Sequence, residues 1–181
     1  MNDELRTGAI YDVPWAFDDE HREWQQTVRR FCSDVVEPGA AQRHVEARFS
    51  PELLEAAGEL GAFGLLAPEE YGGAGADLRS ACLAAEEIAT VDSSLAVTVH
   101  VQAISVALLV HLASDRTDLL KEIVPGAAAG TTFVSFGLTE PSGGSDAGHI
   151  GTRARRVGDD WVINGAKQFI TNSGTPFSRY V

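Results

Sequence analysis

Near residue 128 the hydrophobic period of this chain changes from helical to alternating, and that change restricts the fold more than any other feature. Upstream, FDDEHREWQQTVRRFCSDVVEP places Trp24, Val28, Phe31 and Val35 at steps of four, three and four, one stripe of a helix. Asp18 or Asp19 can cap its start, and Pro38 opposes its continuation. SPELLEAAGELG predicts a second helix, with Ser50 as N-cap, Pro51 at the first helical position and Gly61 as the stop. After a Gly/Pro loop, LLAPEEYGGAG, Asp77 can cap a third helix through LRSACLAAEEIAT. A fourth, DSSLAVTVHVQAISVALLVHLA, is apolar almost all round, and a short fifth, TDLLKEIVPG, is ended by Pro125 and Gly126. Downstream, TTFVSFGLT, HIGTRARRV and WVINGAKQFIT read as strands, the last two joined by a turn at Gly158, Asp159 and Asp160. The expected class is α+β. A lead-in (1–16) precedes an all-α helical domain (17–128), followed by the opening strands of an antiparallel β-barrel-like domain (129–181) too short to close.

Several classes of function are excluded at this level. The net charge of −12, from 26 acidic and 14 basic side chains, opposes a broad nucleic-acid-binding face, though not a local anion site built from backbone N–H groups. The fourth helix is about as long as the roughly 20 residues a membrane span needs. His100, Gln102 and His111 interrupt it, and Ser/Asp flanks stand where basic and aromatic anchors belong, so it is read as a core helix with no membrane role. MNDELRTGAIYDVPW shows neither a secretory nor an organellar leader pattern. Cys32 and Cys82 lie in apolar helical sequence and read as buried free thiols of a cytoplasmic protein, not as a disulfide or zinc framework. No metal ligands are assigned.

The chemistry gathers in FGLTEPSGGSDAG. Pro141, Gly143 and Gly144 turn the chain, glycines let successive N–H groups converge, and Thr139 and Ser145 supply hydroxyls. On composition alone the first reading is a Gly-rich hairpin whose Ser and Asp satisfy its own backbone, and the second is an anion nest. It is neither a P-loop nor a dinucleotide fingerprint, since it lacks GK[ST] and precedes a strand.

Gly137-Leu138-Thr139-Glu140-Pro141-Ser142-Gly143-Gly144-Ser145-Asp146 closely resembles the signature of the acyl-CoA dehydrogenase family. INGAKQFITN resembles the same family's I-N-G-x-K-x-[WF]-I-T-N hairpin, and APEEYGGAG and TDLLKEIVP resemble further segments in the family's order. The resemblance covers about residues 17–181. It implies a flavoprotein that removes two hydrogens across Cα–Cβ of an acyl-CoA thioester, giving the 2-enoyl-CoA, with FAD as cofactor. Cofactor-binding residues carried over are Phe136, Gly137, Leu138, Thr139, Gly144 and Ser145 in the first segment, and Phe169, Ile170 and Thr171 in the second. Ser145 is also implied to touch substrate. The resemblance further implies a homo-oligomer, commonly a tetramer, that passes electrons to an electron-transferring flavoprotein.

It places the catalytic glutamate and much of the adenine site in a C-terminal helical domain beyond these residues, so no catalytic residue is assigned. Glu140 belongs to the loop, Glu86 and Glu87 read as capping or surface charges, and Phe169 has an alternative reading as a plain core aromatic. Two departures from the pattern are His149, where a small residue usually closes the signature, and HLASDRTD ahead of the fifth helix. A same-fold oxidase or monooxygenase and a non-catalytic interaction fragment are the alternative functions.

Overall fold

The computed structural model describes residues 17–48 and 50–180; the expected lead-in, residues 1–16, lies outside them. Six α-helices, α1 (Asp19–Phe31), α2 (Ala40–Glu46), α3 (Pro51–Glu59), α4 (Leu78–Ala89), α5 (Ser93–Leu112) and α6 (Thr117–Ala128), precede four short strands. These are β1 (Phe133–Val134), β2 (Arg153–Val157), β3 (Asp160–Asn164) and β4 (Ser178–Tyr180). β2 and β3 form an antiparallel hairpin, whereas β1 pairs with β4 in parallel, so only one of the two sheets has the antiparallel order expected. Neither sheet closes into a barrel.

Where a side-chain cap and a clear period coincide, the helices start as the sequence implies. Asp18, Asp77 and Asp92 cap α1, α4 and α5 by accepting from the N–H groups of His21, Ser80 and Leu95. Ser50 stands at the cap position of α3, but its hydroxyl bonds Glu52 and leaves the helix N–H groups alone.

The first stripe needs correcting at its end. Cys32–Val36 is a π-turn, in which the Glu37 N–H reaches back to Cys32 O, and the extra residue shifts the buried face by one position. Val36 is therefore fully buried while Val35 is exposed. α2 was not expected, because only Arg43 points inward along it. That guanidinium bonds Val36 O, Pro38 O and the Asp92 carboxylate, so a polar contact replaces the apolar stripe. α6 continues through Pro125 and Gly126. Burial of Val124, Ala127 and Ala128 outweighs the lost hydrogen bond, and Gly130 at φ 72 follows the helix end.

Two side chains depart from their expected burial. Cys82 is exposed, since Ala81, Leu83 and Ala84 turn the other faces of α4 inward. Glu87 is buried between α1 and α4, where it accepts from Gln25 and pairs with Arg29 at 2.9 Å.

α5 organises the packing. Leu95, Ala96, Val99, Gln102, Ala103 and Val106 face the core, while Val97 and Leu112 remain exposed. Among the described residues it is the one helix long and apolar enough to cross a membrane, and its buried face lies in the protein core. Gln102, wholly buried, donates to Ala127 O and Thr132 O and accepts from Val134 N–H, each at 3.0 Å, tying α6 and β1 to the helix. Phe133 then packs edge-on against Phe63 of the helical core and against Phe177 before β4.

His21 joins the starts of two helices. Its ring is buried, with Nδ1 on Asp18 at 2.5 Å and Nε2 on Asp77 at 3.0 Å; Arg79 also contacts Asp77. The Asp77 hydrogen bond, opposed by burial and helped by Asp18, raises the imidazole pKa above its ordinary value. A raised folded-state pKa means stabilisation that is complete below the unfolded value of about 6.5 and lost as pH rises through the folded value. Thermal melts should therefore show the wild-type chain losing stability from neutral to mildly alkaline pH. His21→Gln should remove that slope, and a parallel slope in the variant would contradict the assignment.

Candidate functional site

β1 and β4 are too short, and β2 and β3 too exposed, to position a site by themselves, and two loops do so instead. β1 stops at Val134, where Gln102 takes its N–H, so the long first strand expected from TTFVSFGLT is absent. Likewise β3 stops at Asn164, and the residues from Gly165 to Thr171 form a loop instead of the outer half of a strand.

In the first loop Glu140 and Gly143 exchange backbone hydrogen bonds of 2.9 and 3.0 Å, making a tight turn around Pro141 and Ser142. Gly144 lies so close to Thr139 that an added Cβ would stand 2.8 Å from the threonine hydroxyl oxygen. The second loop is laid against the first. Gln168 N–H donates to Thr139 O at 2.8 Å, and its side-chain amide donates to Glu140 O at 3.1 Å. Lys167 Nζ donates to Leu138 O at 3.0 Å and to Glu140 Oε1 at 2.9 Å.

The two sequence segments singled out, Phe136–Ser145 and Phe169–Thr171, are therefore neighbours in space. Leu138 and Thr139 sit at the junction. Gly137, Gly144, Ile170 and Thr171 are half-buried around it, and Ser145 is exposed on the outer arm of the turn. Thr171 also lines an open groove with Asn172, Thr175, Ser93, Val97 and Thr98, which brings the first turns of α5 to the same edge. Phe136 is half-exposed. Phe169 is 84% exposed at φ 57, so it is not a core aromatic. His149 is an exposed turn residue paired with Asp146.

Glu140 was read from sequence only as a residue of the loop, and Lys167 and Gln168 were given no role; the three hold the two loops together. The buried Glu140 carboxylate accepts from Gly151 N–H at 2.6 Å and from Thr152 N–H at 2.9 Å as well as from Lys167. The Thr152 hydroxyl, near but outside hydrogen-bond geometry, the Lys167 ammonium and the two backbone N–H groups hold its carboxyl far below the usual carboxylate range. A depressed pKa contributes stability above the unfolded value and loses it only as pH falls through the folded one. Between about pH 5 and 8 this group stays an anion, a hydrogen-bond acceptor with no proton to give.

Such a site suits a planar, hydrogen-bonding cofactor with a phosphate tail. Among the described residues, the N–H groups of Leu138, Thr139, Gly144 and Ser145 donate to no backbone carbonyl, and Thr139 and Ser145 carry hydroxyls beside them in the sequence. Ser135 Oγ, buried at the root of the loop, is also unpartnered. Phe169, which follows Gln168 in the second loop, leaves its ring exposed. No group of three or more metal-binding side chains occurs among the described residues.

The chain belongs to the acyl-CoA dehydrogenase family: the family's N-terminal-domain model matches residues 18–131 and its middle-domain model residues 135–180. A probable acyl-CoA dehydrogenase of Mycobacterium leprae is 39% identical over 156 residues, 86% of this chain and 40% of that relative. Glutaryl-CoA dehydrogenase from Mycobacterium smegmatis, solved in complex with FADH2, is 35% identical with a TM-score of 0.76, over 90% of this chain and 42% of that one. A chain solved in work on the electron transferring flavoprotein of Acidaminococcus fermentans is 31% identical with a TM-score of 0.78, over 87% of this chain and 41% of that one. This chain thus spans about 40% of the length of the relatives it matches.

Proposed function

We propose that the chain is the N-terminal part of an FAD-dependent acyl-CoA dehydrogenase, incomplete by itself, that oxidises the Cα–Cβ bond of an acyl-CoA thioester to the 2-enoyl-CoA. The observation that carries this reading is the Thr139 O to Gln168 N–H bond, which joins both cofactor-binding segments into one turn. Leu138 and Thr139 would hold the flavin's pyrimidine edge. Gly144 and Ser145 would approach the pyrophosphate, with Ser145 also touching the acyl-CoA. Phe136 and Gly137 complete the first wall, and Phe169, Ile170 and Thr171 the second, with the Phe169 ring against the flavin face. Bound FAD supplies the acceptor for the hydride leaving Cβ. The chain's own residues bind and orient; none of them is assigned as the base that takes the α-proton.

The reduced enzyme would pass electrons to an electron-transferring flavoprotein, and the family's homo-tetramer is the proposed assembly. The proposed setting is the cytoplasm, within fatty-acid metabolism, with neither nucleic acid nor membrane as partner. In the presence of FAD, saturated acyl-CoA thioesters should shift the visible flavin band of this chain without oxygen uptake. Steady oxygen consumption with no added acceptor would instead support a same-fold oxidase or monooxygenase. A flavin band indifferent to every chain length would leave a non-catalytic interaction fragment as the better reading.

A further inference from the structure

We propose that Glu140 is a positioning residue for the flavin site: its negative charge, more than its volume, holds the Leu138–Gly144 turn against the Lys167–Thr171 segment. The inference rests on the function proposed above, since the two segments act together only if they serve one ligand.

Three donors converge on this carboxylate, Gly151 N–H on Oε2 and both Thr152 N–H and Lys167 Nζ on Oε1. With the residue 4% exposed, water cannot stand in for a lost acceptor. A glutamine of the same shape has one acceptor oxygen, and its NH2 must face at least one of these donors. The consequence reaches the second segment through Lys167. The same ammonium bonds Leu138 O, on the near side of the turn, and the next residue, Gln168, gives its N–H to Thr139 O. The Glu140 charge thus holds Lys167, and Lys167 sets where the Gln168–Thr171 backbone begins.

Hydrogen exchange on the full 181-residue chain tests this directly. Glu140→Gln should speed exchange at Gly151, Thr152 and Gln168 together by roughly tenfold or more, with α5 amides unchanged as proof that the chain remains folded. Lys167→Met, which leaves the carboxylate in place, should speed Gln168 to a similar degree. Fast exchange at Gly151 and Thr152 with Gln168 unaltered would overturn the proposal, because the carboxylate would then serve only its own turn. In parallel, the FAD Kd should rise about tenfold or more in each single variant, and the double variant should bind no more weakly than the worse single one. A wild-type Kd and visible flavin spectrum in Glu140→Gln would also overturn it. If the unsubstituted chain takes no FAD, these residues do not hold the flavin by themselves, and Gln168 exchange alone decides whether Glu140 couples the two segments.

Discussion

Replacing Gln102 with leucine should lower the unfolding free energy by roughly 3–5 kcal/mol, although leucine is apolar, similar in size and placed in a core helix. The amide serves three backbone groups at once: two carbonyls, of Ala127 and Thr132, and the N–H of Val134. Each buried group left without a partner costs about 1–3 kcal/mol, and none can reach water around a wholly buried side chain. The loss should appear in denaturant titration as a lower midpoint, and in melting as a fall of about 10 °C. It should also release β1 first, with exchange at Val134 rising beyond the global change. A variant as stable as the parent would mean that the link from α5 to β1 carries no net stability.

Phe133→Ala should cost about as much, roughly 3–5 kcal/mol, for a different reason. The ring is 1% exposed, with Phe63 at 5.3 Å and Phe177 at 6.2 Å between centroids, both nearly edge-on. Truncation opens a cavity where the helical core meets the returning chain. Since β1 and β4 pair over so few residues, their pairing depends on this contact. Phe133→Leu should recover most of the loss. Equal destabilisation by leucine and alanine would show that ring geometry, and not volume, governs the contact. Because Phe177 follows the second candidate segment, the alanine variant should also loosen Phe169–Thr171.

The legible parts of this fold were those written in local chemistry. Asp18 and Asp77 precede helices and cap them as read, Asp92 does the same for α5 without having been singled out, and the change of period near residue 128 marks where α6 ends. What escaped were features set by distant partners. Val36 replaces Val35 inside because a π-turn adds a residue, which no fixed helical period anticipates. Glu87 is buried because Arg29 and Gln25 of another helix meet it. α2 forms around a polar anchor, Arg43, and Pro125 is carried inside α6 by the burial of its neighbours. The alternation through β3 and beyond it stops describing a strand once Lys167 and Gln168 are drawn to the signature turn.

The family's motifs name Thr139, Gly144, Phe169 and their neighbours, and a backbone hydrogen bond from Gln168 to Thr139 brings their two segments together. The clasp was not legible, since the Glu140–Lys167 pair joins residues 27 positions apart that no periodicity relates. The signal available was a carboxylate fixed inside a Gly-rich turn and a lone lysine in INGAKQFITN, in a chain with 26 acidic residues against 14 basic ones.

The most direct test of this account is FAD titration of the 181-residue chain, followed by quenching of flavin fluorescence and by the visible spectrum. Saturable binding is predicted, weakened by about tenfold or more when Thr139→Ala and Ser145→Ala are combined, each hydroxyl contributing on the order of 1 kcal/mol. No quenching by the unsubstituted chain, or equal affinity in the double variant, would contradict the assignment of this turn as the flavin cradle.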